Sequence, residues 1–369
     1  MSAASRLPFL DLRLADDAAD VRAAIERVLQ RSWYILGPEL EAFEQEFAAA
    51  SGSRYAVGVG NGTDAITLLL RAAGIGAGDE VIVPALTAAY TGLAVIATGA
   101  RPVIVDVTAD TLTMDPAACD AAVTARTRAI VPVHLYGQPA DMTAIAQIAA
   151  RHSLTIVEDC CQAHLATADG LPVGTHGVGG AFSFYPTKNL GALGDGGAAI
   201  TNDAGVAERV RRLRNGGQTS RYHHAEAGVN SRLDEMQAAV LRARLPRLAG
   251  WTARRRELAA QYRRALPPMV ATIRERDAGH VYHLFPVRSA NRDALQAALA
   301  AAGVETLIHY PVALPEQPAF GSDAPAHVPV AARAARELLS LPLHPRLADP
   351  DVTRVAAAIA EFEKGNVLT

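Results

Sequence analysis

Ser183-Phe184-Tyr185-Pro186-Thr187-Lys188-Asn189-Leu190-Gly191-Ala192-Leu193-Gly194-Asp195-Gly196-Gly197 carries an apolar run into a glycine-rich turn, with a lysine between them. The chain holds 35 basic residues, and lysine occurs only at positions 188 and 364. Everywhere else a positive charge is an arginine. A guanidinium is always charged, whereas an amine can lose its proton and attack a carbonyl. Lys364 lies in the polar Glu361-Phe362-Glu363-Lys364-Gly365 and reads as a solvated surface side chain. Lys188 reads as a Schiff-base lysine.

The flanking sequence frames that lysine. From about Arg54 to Asn202, short apolar runs alternate with helical patterns. The runs are Tyr55–Val59, Glu80–Pro84, Pro102–Val107, Ala129–His134, Leu154–Glu158, Gly180–Phe184 and Ala198–Thr201. Several are continuously apolar, which suits strands covered on both faces. Between them, Asp64–Ala73, Thr87–Thr98, Pro116–Thr124 and Met142–His152 are long enough for crossover helices. The expected fold class is therefore α/β, a largely parallel sheet with helices on both sides. Helices Asp234–Leu245 and Trp251–Leu266 follow. Beyond them come strands near Tyr282–Val287 and Val304–Ile308, and helices near Arg292–Ala302, Val330–Leu339 and Pro350–Phe362. Residues 1–245 read as an N-terminal segment with the large domain, and 246–369 as a smaller α/β domain.

Composition narrows the function. A hydrophobic content of 50% supports a large core, while a net charge of −3 supplies no basic field for nucleic acid. The runs Arg209-Val210-Arg211-Arg212-Leu213-Arg214 and Arg254-Arg255-Arg256 read as solvated helix faces. No apolar run approaches the ~18 residues of a membrane span, and Met1 to Asp20 carries Asp and Arg where a signal peptide has its apolar core. Cys119 stands alone and Cys160-Cys161 are adjacent, which gives neither a disulfide framework nor a zinc spacing. A reduced, cytoplasmic setting follows. His223 and His224 have no neighbouring ligand pattern, and no metal is expected.

Ligands of open α/β sheets collect at the carboxyl ends of strands. Gly60-Asn61-Gly62-Thr63-Asp64 lies between a strand and a helix, as either a phosphate-binding turn or an ordinary capped one. A dinucleotide fingerprint fits poorly, because Thr63 falls where its third glycine belongs. Asp159 ends an apolar run, where it either faces a cationic ring nitrogen or caps a helix. Ser183 is a phosphate donor or a satisfied strand serine. Asp159 and Lys188 end consecutive strands, and a pyridoxal cofactor needs both an amine for its aldehyde and an anion for its pyridine nitrogen. Asn230, in Gly228-Val229-Asn230-Ser231-Arg232-Leu233-Asp234, could belong to a simple helix start. His309-Tyr310-Pro311 is a turn in either core or pocket.

With those residues placed, the chain resembles the DegT/DnrJ-type family of pyridoxal-phosphate sugar aminotransferases over nearly its whole length. The likeness rests on Pro8-Phe9-Leu10-Asp11-Leu12, Ile35-Leu36-Gly37-Pro38-Glu39 and Gly62-Thr63-Asp64-Ala65. It continues through His134-Leu135-Tyr136-Gly137-Gln138-Pro139-Ala140-Asp141-Met142, Glu158-Asp159 with Gln162-Ala163-His164, and the lysine segment. Asn230 to Ala239 and Leu307-Ile308-His309-Tyr310-Pro311 complete it. Two departures stand out: Ala88 replaces the family's usual aromatic after Thr87, and Leu165 follows His164 where glycine is common.

The resemblance implies an aspartate-aminotransferase-like fold (fold type I) and a homodimer with active sites at the subunit interface. It implies pyridoxal phosphate on Lys188, with Asp159 against the pyridine nitrogen and Gln162 on the phenolic side. Gly62, Thr63 and Ser183 would hold the phosphate, Asn230 would reach it from the other subunit, and His309 and Tyr310 would face the sugar. The implied reaction is transfer of an amine from glutamate to a nucleotide-linked keto sugar, at carbon 3 of a dTDP-6-deoxyhexose in particular. A 4-keto substrate, a same-fold dehydratase and a regulatory pyridoxal-binding protein are the alternatives. Related dehydratases replace the lysine that is intact here.

Overall fold

The computed structural model describes residues 6–321 and 327–366. Seven strands build the main sheet: β1 (Tyr55–Val59), β2 (Glu80–Pro84), β3 (Arg101–Val105), β4 (Thr127–Ile130), β5 (Thr155–Asp159), β6 (Gly179–Ser183) and β7 (Gly197–Thr201). Their spatial order is β1-β7-β6-β5-β4-β2-β3. Pairings from β6 through β5, β4 and β2 to β3 are parallel, as expected, while β7 is antiparallel to both β6 and β1. The physical reason is the Lys188 segment itself. It joins β6 to β7 without a crossover helix, so the chain can only return antiparallel. All the strands except β7 therefore point one way and deliver their carboxyl ends to one edge.

Alternation along the strands feeds two cores. Ala56, Ile82, Ile130, Ile156, Phe182 and Ile200 face one side, while Val57, Val81, Val83, Ala129, Val157, Ala181 and Ala199 face the other. Since both faces are covered, several strands read as continuous apolar runs. Helices Pro38–Ala50 and Met142–His152 cover the first face, and Gly62–Ala72, Ala89–Ala97 and Ala204–Arg214 the second. On the first face Phe184, just after β6, meets Phe43 and Phe47 edge-on at centroid distances of 5.3 and 5.2 Å. Burying one such ring contributes roughly 1.5–3 kcal/mol and anchors the strand end from which the Lys188 loop springs.

Two sequence motifs far apart in the chain prove to be one device. The carboxylate of Glu235 accepts from the amides of Gly37 (3.1 Å), Glu39 (2.9 Å) and Leu40 (2.8 Å). Those are first-turn donors that helix Pro38–Ala50 cannot satisfy internally. A Cβ on Gly37 would lie 2.8 Å from that carboxylate, so the glycine leaves room for the cap.

The C-terminal unit centres on a three-stranded antiparallel sheet of β8 (Ala271–Thr272), β9 (Phe285–Arg288) and β10 (Leu338–Leu341). Here the sequence expectations need adjustment. Helix Pro329–Glu337 stops earlier than expected and gives way to β10, because Leu338, Leu339 and Leu341 are buried in sheet register against β9. Val304 and Leu307 make only isolated bridges, to Leu7 and Ser340 respectively, where a strand was expected. Leu7 shares the apolar cluster of Val304 and Leu339, so the N-terminal segment packs onto this unit. The arginine runs are also less solvated than they read: Arg214 and Arg255 are buried. Both find backbone carbonyls to bond, Arg214 at Gly58 and Arg255 at Leu343.

Candidate active site

The shared carboxyl edge assembles the site. Asp159, the last residue of β5, is buried, and its Oδ1 accepts from the Cys161 amide at 3.1 Å. Its Oδ2 accepts from the Thr91 hydroxyl at 2.8 Å, and Thr91 lies 2.9 Å from the Thr87 hydroxyl behind it. Both threonines are buried in the turn and helix that follow β2. Asp159 thus caps no helix; the Cys161 amide and the Thr91 hydroxyl fix its two oxygens instead.

Lys188 sits in the loop after β6, half-buried, between Thr187 and Asn189 in the wall of a cavity of about 210 Å³. Burial pushes its amine below the ordinary lysine value, and the nearby Asp159 carboxylate only partly offsets this. Three imidazoles surround it, all held neutral by burial and secondarily by the lysine's charge. His164 is pushed down to about 3, His309 to about 4, and His283 well below its usual range. His164 Nε2 donates to the Ser183 carbonyl at 2.9 Å. Asn189 locks the loop, donating to the Val281 carbonyl at 3.0 Å and facing His283 Nδ1 at 3.3 Å. Desolvation therefore favours the deprotonated amine, the nucleophilic form, against the raising effect of the nearby acids.

Beside the lysine loop, a helix start and the end of β6 meet in a tight cradle. Gly62 opens helix Gly62–Ala72, whose cap Asn61 accepts from the Asp64 amide at 2.8 Å. The amides of Gly62 and Thr63 precede any intrahelical acceptor and point outward. A Cβ on Gly62 would meet Cys161 Sγ at 2.6 Å and Ser183 Cβ at 2.9 Å, so helix start, serine and thiol converge. Such a helix terminus suits an anion.

Gln162 ties segments remote in the chain together across the site. Its Oε1 accepts from the Tyr136 amide at 2.6 Å and its Nε2 donates to the Tyr310 hydroxyl at 2.9 Å. Tyr136 in turn donates to the His309 carbonyl at 2.5 Å, which closes the ring, and His309 Nδ1 meets the Ser340 hydroxyl at 3.0 Å. His309 and Thr187 line a second cavity, of about 900 Å³, that extends toward Phe9 and Gln296. That volume is in the range of small-molecule sites.

A family model for DegT/DnrJ/EryC1/StrS aminotransferases matches residues 15–360. The chain belongs to this family. It is 50% identical over 364 residues to a dTDP-3-amino-3,4,6-trideoxy-alpha-D-glucose transaminase of Streptomyces venezuelae, covering 97% of this chain and 96% of that one. It is 44% identical to a UDP-N-acetyl-3-dehydro-alpha-D-glucosamine 3-aminotransferase of Acidithiobacillus ferrooxidans, over 97% and 98% of the two chains. Among solved structures, S. venezuelae DesV in complex with a ketimine intermediate superimposes with a TM-score of 0.95 at 50% identity, over 97% of this chain and 99% of that one.

In this DegT/DnrJ/EryC1/StrS member, Lys188, Asp159, Gln162, His309 and Tyr310 converge, and Gly62 meets Ser183, while Thr63 follows Gly62 in the same helix start. Asn230 is exposed and pairs with Asn215, apart from the hydrogen bonds around Lys188. Its neighbour Ser231 bonds Asp64 at 2.6 Å and accepts from Gly60 at 2.9 Å. Tyr90, next to the departure at Ala88, is 65% exposed rather than folded into the site. Leu165 adopts a left-handed φ of 59°, a conformation that favours glycine. Sequence reading missed Thr91, Tyr136 and His283. Tyr136 lay within the quoted His134–Met142 stretch without a role, and the Thr87–Thr91 spacing of one helical turn needed β2 and β5 brought together to acquire meaning. Among the described residues His134, Glu158 and Cys160 lie within metal-binding reach of one another. Glu158 is already engaged by His134 Nε2 (3.1 Å) and the amides of Gly174 and His176 (both 2.8 Å), a satisfied structural network.

Proposed function

We propose that the protein transfers an amino group from glutamate to carbon 3 of a nucleotide-linked keto sugar, a dTDP-6-deoxyhexose in the first instance, using pyridoxal phosphate on Lys188. The observation that carries this reading is the pairing of a desolvated amine at Lys188 with the buried, hydroxyl-supported carboxylate of Asp159. The residues present fit the cofactor. Only a glycine at position 62 lets the helix start approach Ser183 and Cys161 this closely, and Asp159, buried, takes its hydrogen bonds from an amide and a hydroxyl with no arginine among them. Gly62, Thr63 and Ser183 would hold the phosphate, Asp159 the ring nitrogen, and Gln162 the phenolic side. When bound, the cofactor supplies an electrophilic carbon and a ring that accepts the electron pair of a deprotonated substrate carbon.

The chain's own residues do the rest. Lys188 would hold and pass on a proton at its Nζ beside the amine-bearing carbon of the substrate, a role that its lowered pKa suits. Thr91 and Thr87 fix the Asp159 carboxylate in place. His309 and Tyr310, braced by Tyr136 and Gln162, line the side from which the sugar would enter. Carbon 3 is favoured because both relatives described above act there by name, on dTDP and UDP sugars respectively.

The reading includes a homodimer in which Asn230 reaches the partner's phosphate site. Its support is the position of Asn230 on the surface, together with exposed Trp33, Tyr34, Tyr185 and Tyr222. A cytoplasmic setting is supported by three unpaired thiols; among the described residues no helix is long and apolar enough to cross a membrane. The test is turnover of a panel of dTDP- and UDP-linked 3-keto and 4-keto sugars with glutamate. Product from the 3-keto members is expected, with 2-oxoglutarate formed in equal amount. Turnover confined to 4-keto sugars would overturn the carbon assignment, and none with any sugar the reaction itself.

A further inference from the structure

The arginines around the Lys188 cavity are of two kinds. Arg13 and Arg346 pair with Asp11, and Arg244 with Asp17. Arg255 lines the same cavity at only 4% exposure, yet among the described residues it has no carboxylate partner. Its Nη1 donates to the carbonyls of Tyr282 (3.2 Å), His283 (3.3 Å) and Leu343 (2.8 Å). Its Nε is buried without an acceptor, and no described hydrogen bond engages Nη2. One corner of the fork is pegged and the opposite edge is free. Burial lowers its pKa to about 10, so the group is still charged at neutral pH. A buried cation without a counter-ion is costly, and carbonyl dipoles alone hold it without neutralising it.

Its position gives the free edge a use. Arg255 lines both the Lys188 cavity and the larger one that holds His309 and His283. Beyond the larger effect of burial, the charges of Lys188 and Arg255 both depress the His164 and His283 imidazoles, so the two cations flank the same pair of rings. We propose that Arg255 is the anion clamp for the amino donor, its Nε–Nη2 edge binding a carboxylate of the glutamate that docks at Lys188. This rests on the transamination reading above. A single side-on fork matches the two oxygens of a carboxylate. The three carbonyl oxygens crowded around Nη1 would repel the many oxygens of a diphosphate.

The test is equilibrium dialysis of the holoenzyme with radiolabelled succinate, a dicarboxylate without an amine to react. Wild-type protein should bind it saturably and release it to glutamate. Arg255→Gln should weaken succinate by about tenfold or more, the loss expected for a charge-assisted pair. It should raise half-saturating glutamate in parallel and leave dTDP affinity within about twofold. Arg255→Lys keeps the charge without the fork and should fall between, which serves if the glutamine variant fails to fold. Unchanged succinate affinity in either folded variant, or no saturable binding to wild type, overturns the clamp. A matching loss of dTDP affinity overturns it in favour of a diphosphate anchor. If succinate binding depends on Arg255 but no sugar is aminated, the clamp stands and the transamination reading falls. Amination with unchanged glutamate saturation in Arg255→Gln gives the reverse.

Discussion

Asp159 is held by an amide on one oxygen and by a hydroxyl relay on the other, Thr87 behind Thr91. The relay fixes the carboxylate oxygens where the proposed chemistry needs them. Asp159→Asn should keep the fold and lower the donor half-reaction by about a hundredfold or more, the scale of losing one preorganised electrostatic group. Thr91→Val should cost less, and Thr91→Ser should restore most of it. Stopped-flow absorbance with glutamate measures all three, and near-normal rates in Asp159→Asn would reduce that residue to a structural role. Lys188 and Asp159 were legible in the sequence, the first from the scarcity of lysine and both from their places at strand ends. Thr91 was not, because its hydroxyl acquires a role only when β2 and β5 bring it to Asp159. Arg255 misled for a related reason: an arginine run on a helix reads as solvated until another unit's carbonyls close over it.

At the scale of elements, the start of helix Gly62–Ala72 and the loop after β6 form the cradle together. Gly62→Ala would place a methyl 2.6 Å from Cys161 Sγ and 2.9 Å from Ser183 Cβ, closer than real contacts allow. The helix start must then move, at a cost of about 1–3 kcal/mol in stability. A lower unfolding temperature with weaker retention of pyridoxal phosphate on dialysis is the expected pair of results. Retention equal to wild type would show that the cradle is not the phosphate site. The sequence marked both halves, since Gly62 and Ser183 end up as neighbours as expected. It could not show that β7 reverses direction, because pairing sense is a property of two strands and neither carries it alone.

For the whole molecule, buried neutral histidines link stability to pH. His164 and His280 are lowered to about 3 and His309 to about 4, all chiefly by burial. Above pH ~6.5 these rings are neutral in both folded and unfolded chains, and their contribution is complete. Below it the unfolded chain takes up protons first, so stability falls with pH, by about 1.4 kcal/mol per unit per histidine, until the folded values are reached. Urea unfolding at pH 7, 5.5 and 4.5 checks this, using those pH settings as roughly chosen points across the window; a flat profile would contradict buried neutral rings. Assembly is the second global property. If Asn230 serves the partner's site, mixing inactive Asn230→Ala and Lys188→Ala proteins should restore one working site per hybrid dimer. Demonstrated hybrids without activity would assign Asn230 to its own subunit.

By itself the sequence determined the α/β class, and it marked the strand ends, the lysine and the carboxylate on which the proposed function rests. Each of these follows from local pattern: apolar runs bounded by turns, and a rare amine among arginines. Only the tertiary structure decided which groups support them. The Glu235 cap on Gly37, the Tyr136–Gln162–Tyr310 tie and the pairing of Leu7 with Val304 join residues remote in the chain. So does the burial of Arg255. Hydrogen bonding and desolvation depend on what surrounds a side chain in space, and sequence neighbours do not fix those surroundings.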